Sequence, residues 1–281
     1  DPEPASRMIT ARVPQLADFE FHVHQEFDHY ISGDLLRDKI WEPFETEVFR
    51  RICFAGDVVA DIGANIGWYS VLASKLVGES GRVFSFEPDS KNMQLLKKNL
   101  AVSGGAGPVQ TRACAVSDRS SLEKLFLSET NLGDHQLFDD GGSRKSLDVP
   151  VVSLDDVFFN EPNRPTLVKS DTQGSEARII RGAAKLFESG WRPILILEFW
   201  PYGLKGAGDD PMALWKTLKS LGYAIYEISE ENPELMSLRE SSLQDRLLTD
   251  ISPDSGRFIN ILCMPPEDNR IELVRDLLAA E

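Results

Sequence analysis

Hydrophobic and polar positions follow two periods along this chain. From Trp41 to Phe54 the apolar residues Trp41, Phe44, Val48, Phe49 and Ile52 recur at the spacing of one helix face, and Ala55-Gly56-Asp57 stops the run. Beyond it, short apolar runs bounded by Gly, Pro and Asp alternate with helical patterns. DVVADIG, RVFSFEP and VQTRACAV read as strands. Ile66–Leu76 and Asp89–Leu100 read as the helices between them, the second opened by an Asp cap. TLVKSD and PILILEFWP are a fourth and a fifth strand, and the bare apolar run of the fifth implies burial on both faces. Glu176–Glu188 is the helix between them, and Pro211–Leu221 is the next. YAIYEIS and FINILCM are the last two strands, joined by a long polar connection, and Ile271–Ala280 is a closing helix.

Two stretches interrupt this alternation. Residues 1–40 are irregular and rich in Asp, His and Pro, and read as an N-terminal extension. Between Ser117 and Pro165 the pieces LEKLFLS and LDVPVVS flank a polar stretch from Glu129 to Ser146. That region reads as an inserted hairpin with a long loop. The expected organisation is an extension over 1–40 and one α/β domain over 41–281, with an insertion at 118–165. Such alternation predicts a seven-stranded, mostly parallel sheet with helices on both faces. Ligands bind such sheets at the carboxyl ends of the strands.

Composition narrows the partners. The 281 residues carry 45 Asp and Glu against 30 Lys and Arg, a formal charge of −15. Phosphate neutralisation needs clustered Lys and Arg, so nucleic acid and anionic lipid are disfavoured as partners. No apolar run approaches the roughly 18–20 residues of a membrane span. The start, DPEPASRM, has neither an initiator Met nor an apolar signal segment and reads as trimmed. Cys53, Cys114 and Cys263 form no CxxC pair and read as core residues, which makes a reducing cytoplasm the expectation.

Candidate chemistry lies at the strand ends. The first end, DIGANIG, carries Asp61, Gly63, Asn65 and Gly67 straight after a strand and before a helix. It is neither G-x-G-x-x-G nor a P-loop, and an anionic Asp61 suits a cationic or hydroxyl-bearing ligand. At the second end, Glu87 lies 20 residues beyond Gly67, where a carboxylate can accept hydrogen bonds from ribose hydroxyls. At the third end, Val116 offers apolar cover for an adenine ring, and Ser117 and Asp118 offer polar contacts.

These segments together resemble the class I S-adenosylmethionine (SAM) methyltransferases. GDVVADIGANIGWYS, VFSFEPD, VPVVSLDDVF and LVKSDTQGSEARIIRGA are more narrowly similar to the FkbM methyltransferase family, over about Trp41 to Met264. The family usually has an aliphatic residue in place of Ser170 and often Glu in place of Gln173. The resemblance implies a Rossmann-like class I fold, SAM as cofactor, and O-methylation of a hydroxyl on a small molecule or glycan. SAM would meet the Asp61–Gly67 turn and Glu87.

The remaining ends supply candidate catalytic groups. Asp171 in KSDTQGSE can orient an acceptor hydroxyl or take its proton. Glu198 follows four aliphatic residues, and a carboxylate there is costly unless partnered or functional. Trp200 and Tyr202 are candidate walls of an acceptor pocket. His135, in the insertion, is a third candidate catalytic residue if that loop folds over the fourth strand end, and Asn131 and Asp134 travel with it. No distinctive ligand spacing marks a metal site, although Asp171, Glu198 and Glu176 could supply oxygens to Mg²⁺. A nucleotide-dependent oxidoreductase and a non-catalytic binding scaffold are the alternatives. The first lacks the dinucleotide glycines. A nucleic-acid methyltransferase lacks its N/D-P-P-Y-type tetrad, since KSDTQ stands at the fourth strand.

Overall fold

The computed structural model describes residues 4–25, 31–128, 134–139 and 141–279. Its centre is an eight-stranded sheet. The parallel strands are β3 (Val58–Ile62), β4 (Arg82–Phe86), β5 (Val109–Arg112), β9 (Leu167–Ser170) and β10 (Ile194–Phe199). β13 (Ile259–Met264) inserts antiparallel between β10 and β11 (Ala224–Ser229). The order is β12-β11-β13-β10-β9-β3-β4-β5. The chain therefore runs outward one way from β3 and later the other way from β9, which makes β3/β9 the switch point of the sheet.

The eighth strand, β12 (Glu234–Ser237), comes from the long polar connection, which also holds α10 (Glu240–Leu247). Its short ELMS run is half polar, and pairing with β11 makes it a strand.

Alternation along the strands divides the core. Val59 of β3 and Ile194 and Ile196 of β10 face one apolar cluster with α2 (Pro43–Ile52), α3 (Trp68–Leu76) and α4 (Ser90–Val102). Ala60, Ile62, Leu195, Leu197 and Phe199 face the other, with α5 (Leu154–Phe158), α6 (Glu176–Arg181), α7 (Ala184–Glu188), α8 (Pro201–Gly206) and α9 (Pro211–Ser220). The expected single helix Glu176–Glu188 is broken at Gly182-Ala183. A Cβ on Gly182 would lie 2.2 Å from the Ser117 carbonyl oxygen, so the chain packs too closely there for any other residue. The C-terminal segment Asn269–Leu277 is a 3₁₀ helix capped by Asp268 rather than an α-helix over Ile271–Ala280.

The N-terminal region is ordered, contrary to the irregular reading. β1 (Ser6–Ala11) and β2 (Phe19–His24) form an antiparallel hairpin, and α1 (Ile31–Asp38) follows. Phe19, Phe21 and Val23 alternate with polar residues and are buried. Phe21 meets Trp68 edge-on at 5.5 Å, a favourable ring arrangement. Asn99 of α4 clamps the hairpin, accepting from the His22 amide at 2.5 Å and donating to its carbonyl at 2.9 Å.

VQTRACAV splits because the chain turns at Arg112–Cys114 and leaves the main sheet. β6 (Ala115–Val116), β7 (Ser121–Phe126) and β8 (Ser146–Val152) form a separate three-stranded sheet. The insertion is thus anchored beside the carboxyl end of β5. Residues 129–133, including Asn131, lie outside the described residues, as does His29.

One polar feature crosses the main core. Lys169 and Glu45 are both fully buried and meet at 2.8 Å as an ion pair without good hydrogen-bond alignment. The pair ties α2 to β9. Removing one partner of a buried pair leaves an uncompensated charge and costs about 3–5 kcal/mol. Lys169→Met should lower stability by about that much, read from urea unfolding. The double variant Lys169→Met/Glu45→Leu should recover at least half of the loss. Equal midpoints for wild type and the single variant would contradict this.

Candidate active site

Two adjoining cavities open at the switch point, and Gly63, Asn65 and Asp171 line both. The turn that divides them is tight. Gly63 has φ +75°, and a Cβ there would lie 2.0 Å from the Asp171 carbonyl oxygen, so the β3 turn touches the end of β9. Gly67 has φ +93° and packs against Leu96, which lets α3 start while it presses on α4. Asn65, also left-handed at φ +50°, accepts the Ile66 amide at 2.7 Å on its own side chain.

The first cavity is floored by Glu87. Its oxygens accept the amides of Asn65 and Asp89, both at 2.8 Å. Each oxygen of the ionised carboxylate has a second lone pair, so in that form both can also accept from a ligand. Burial pushes Glu87 up to about 8, against the pull of the Asp89 and Asn65 amides. Ala115 and Val116 form an apolar wall. Ser117 and Asp118 do not line either cavity. The Ser117 amide bonds the Val152 carbonyl at 3.0 Å, and Asp118 lies 3.7 Å from Arg119 and from Arg181.

His135 also lines this first cavity, with Leu125, Leu137 and Asn92. Its Nδ1 accepts the Ser128 amide at 3.1 Å, and burial lowers its pKa despite Asp89 and Asp134 nearby. The insertion brings it to the Glu87 side, where the sequence reading had it at the acceptor. Glu198 lines only the second cavity. Asp134 is held by Arg144 at 2.7 Å.

The second cavity gathers acidic groups that strand parity sets on one face. Asp61, Lys169 and Glu198 share the face covered by α2 and α3, and Asp61 and Lys169 are direct partners in the β3–β9 ladder. Asp61 accepts the Ser70 hydroxyl at 2.5 Å, and burial lifts it to about 6. Gln173, at φ +54°, donates one amide nitrogen to Asp171 Oδ1 at 3.0 Å and to Glu198 Oε1 at 3.1 Å. The other Glu198 oxygen, Oε2, is buried with no hydrogen-bond partner among the described residues. Burial, then Asp171 and Glu176, drives the Glu198 pKa well up. Burial likewise raises Asp171, which Lys169 opposes. Burial disfavours the Lys169 charge, but Glu45, Asp171 and Glu42 outweigh it and hold the ammonium above its ordinary pKa.

Several wall residues escape the strand-end reading. Glu42 enters from the start of α2, accepting the Tyr69 hydroxyl at 2.9 Å and the Asn260 amide at 3.1 Å. Burial and Glu45 lift it to about 8. Trp41, Trp68, Tyr69 and Phe258 are the aromatic walls. Trp200 and Tyr202, expected in that role, pack against each other as tilted rings at 5.2 Å and line neither cavity. Glu176 is a loop brace, accepting from the Thr172 amide and hydroxyl and the Gly174 amide. Among the described residues no group of three or more His, Cys, Asp or Glu side chains is arranged to hold a metal ion. Among the same residues no helix is long and apolar enough to cross a membrane.

The methyltransferase FkbM domain matches residues 61–225, more than half of the chain; the span holds the whole lining of the first cavity and most of the second, whose Ile31, Trp41, Glu42 and Phe258 lie outside it. The chain belongs to the FkbM methyltransferase family. Its cofactor is SAM. No curated protein matches the chain. Solved structures with a similar fold include a SAM-dependent O-methyltransferase from Thermotoga maritima, 12% identical, covering 94% of this chain and 79% of that one at a TM-score of 0.43. An O-methyltransferase from Bacillus cereus in complex with SAH is 10% identical, with 79% and 80% coverage and a TM-score of 0.42. An rRNA methylase from Streptococcus thermophilus is 7% identical, with 79% and 95% coverage and a TM-score of 0.43.

In this FkbM methyltransferase Glu87 gives a pH signature. Its folded pKa of about 8 exceeds the ordinary 4.5, so between those values the folded state keeps a proton that the unfolded chain releases. That contribution is full below about 4.5 and is lost as pH rises through about 8. Glu87→Gln should flatten the fall in stability across this window by up to about 1.4 kcal/mol per pH unit, read from urea midpoints at pH 5–8. An unchanged slope would contradict the assignment.

Proposed function

We propose that this protein O-methylates a hydroxyl of a small molecule or glycan, with the donor nucleoside in the first cavity and the acceptor in the second. The buried, unpartnered Glu198 Oε2 carries this reading, because it offers a proton acceptor in a cavity contiguous with the cofactor turn. The acidic lining suits a cationic sulfonium donor, and the tight Gly63 turn suits close backbone approach. SAM supplies an electrophilic methyl carbon: a C–O bond forms as the C–S bond breaks, and sulfur keeps the electron pair as a neutral thioether.

The chain's residues divide this work. Glu87 accepts hydrogen bonds from the ribose hydroxyls, and Ala115 and Val116 cover the adenine. His135, neutral and held by Ser128, closes over the nucleoside. Asp61 faces the positive end of the donor. Gln173 holds the Asp171 and Glu198 carboxylates in fixed relation. Asp171 orients the acceptor hydroxyl, and Glu198 takes its proton. Alignment in such a site supplies roughly 7–11 kcal/mol of barrier reduction, and a general base about 10²–10⁴-fold in rate.

Calorimetry with SAM and methyl transfer from labelled SAM test this division. Glu87→Ala and His135→Ala should weaken SAM binding at least about tenfold, by loss of roughly 1.4 kcal/mol or more. Glu198→Gln should keep SAM affinity and lower turnover by about 10²–10⁴-fold. Undiminished turnover in Glu198→Gln would remove Glu198 as the base. SAM binding with no transfer to any hydroxyl compound would favour a binding scaffold.

A further inference from the structure

The second cavity continues outward. Trp41, Glu42 and Phe258 also line a larger groove, about 560 Å³ in volume, bounded by α1, the β11–β12 hairpin and the start of β13. Among the described residues the groove carries seven carboxylates and three guanidiniums. Each guanidinium is already paired inside it. Arg37 binds Asp34 and Asp38, Arg246 binds Glu227 and Asp250, and Arg257 binds Glu231. Glu230 is bonded to the Phe44 and Glu45 amides at the start of α2. Glu42 meets only the neutral donors Tyr69 and Asn260. The groove lining therefore has a formal net charge of −4: Arg37 and Arg246 are each shared by two carboxylates, and among the described residues Glu42 and Glu230 have no guanidinium within it.

A second observation points to a ligand at the inner end. Glu198 is 3% exposed, lines the inner cavity, and leaves Oε2 without a partner among the described residues. Asp61 lines only the inner cavity, whereas Glu42 belongs to both spaces. The donor's own positive charge can thus be met at Asp61, while Glu42, whose burial-raised pKa an adjacent ammonium lowers again, stays available to the acceptor. Aromatic residues stand at the neck, Trp41 and a half-exposed Phe258, and ring faces attract cations. A neutral polyol would satisfy carboxylate lone pairs but leave the surplus charge uncompensated, and a phosphorylated acceptor would add repulsion.

Resting on the methyltransferase reading, we propose that the acceptor carries at least one protonated amine, held at the neck by Glu42, Trp41 and Phe258, while its hydroxyl reaches Glu198. Charge then selects the acceptor, and the carboxylates at the inner end position its hydroxyl.

The test titrates the full chain, loaded with SAH, by calorimetry. Glucosamine and spermidine are the cationic probes, N-acetylglucosamine the neutral match, and glucose 6-phosphate the anion. The cationic probes should bind at least about tenfold more tightly than N-acetylglucosamine, and glucose 6-phosphate should not bind. Glu42→Gln should erase most of that preference. Since Glu42 is partly buried and hydrogen-bonded to Tyr69 and Asn260, its variant can lose fold, so raising salt on the wild type is the second arm, and it should weaken glucosamine more than N-acetylglucosamine. Equal affinity for glucosamine and N-acetylglucosamine, or no binding of either cationic probe, overturns this proposal and leaves SAH binding intact. Failure of SAH itself to bind overturns the methyltransferase reading, and this proposal with it.

Discussion

One buried ammonium organises the carboxyl end of the sheet. Lys169 sits inside the core face between β3 and β10, paired with Glu45 of α2 and 5.0 Å over the Tyr69 ring of α3. Around it lie Glu42, Asp171 and Glu198, each raised in pKa chiefly by burial. Without that cation these carboxylates would face one another in a medium that screens them poorly. With it, α2, α3 and three strands converge on a polar centre that a purely apolar core would have closed.

From that centre the site divides in two. The contact of Gly63 with the Asp171 carbonyl separates a recess at Glu87 from an acidic, aromatic-walled one at Glu198. The division suits a reaction that holds two molecules in line and keeps one reacting atom from each at the partition. Asp171 faces both recesses, and the single Gln173 amide links it to Glu198. Fixed relation between those carboxylates follows from one strained residue, since a left-handed Gln173 is sparsely populated unless its surroundings hold it.

The parts outside the sheet finish the first recess. The N-terminal hairpin packs on α4, where His24 Nε2 donates to Asn92 Oδ1 at 2.8 Å, and Asn92 is itself a wall residue. The insertion sheet brings Leu125, Leu137 and His135 over the opposite side. Both additions make contacts near the ends of β4 and β5, so they shape the first recess, while α1, α2 and the β11–β12 hairpin shape the second and the groove outside it.

The linear chain already determined the alternating strands of a mostly parallel sheet, the DIGANIG turn, and the suspect status of Glu87, Asp171 and Glu198. Those rest on local rules: two-residue alternation, glycine at positive φ, and charges that interrupt apolar strands. Lys169 obeyed the same rule as Glu198 and was there to be read. The strand FEFHVH was also legible as alternation in a region taken for irregular. Only tertiary structure decided which helix covers each strand face, and so that Glu45 neutralises Lys169 and Glu42 enters the second recess. It also decided that the third strand leaves the sheet at Cys114, so that Ser117 and Asp118 line neither cavity, and that His135 lines the same cavity as Glu87. The physical reason is common to all of these. Periodicity fixes the direction of a side chain relative to its own strand or helix, but partners distant in sequence are chosen by packing and charge compensation, which no local pattern encodes.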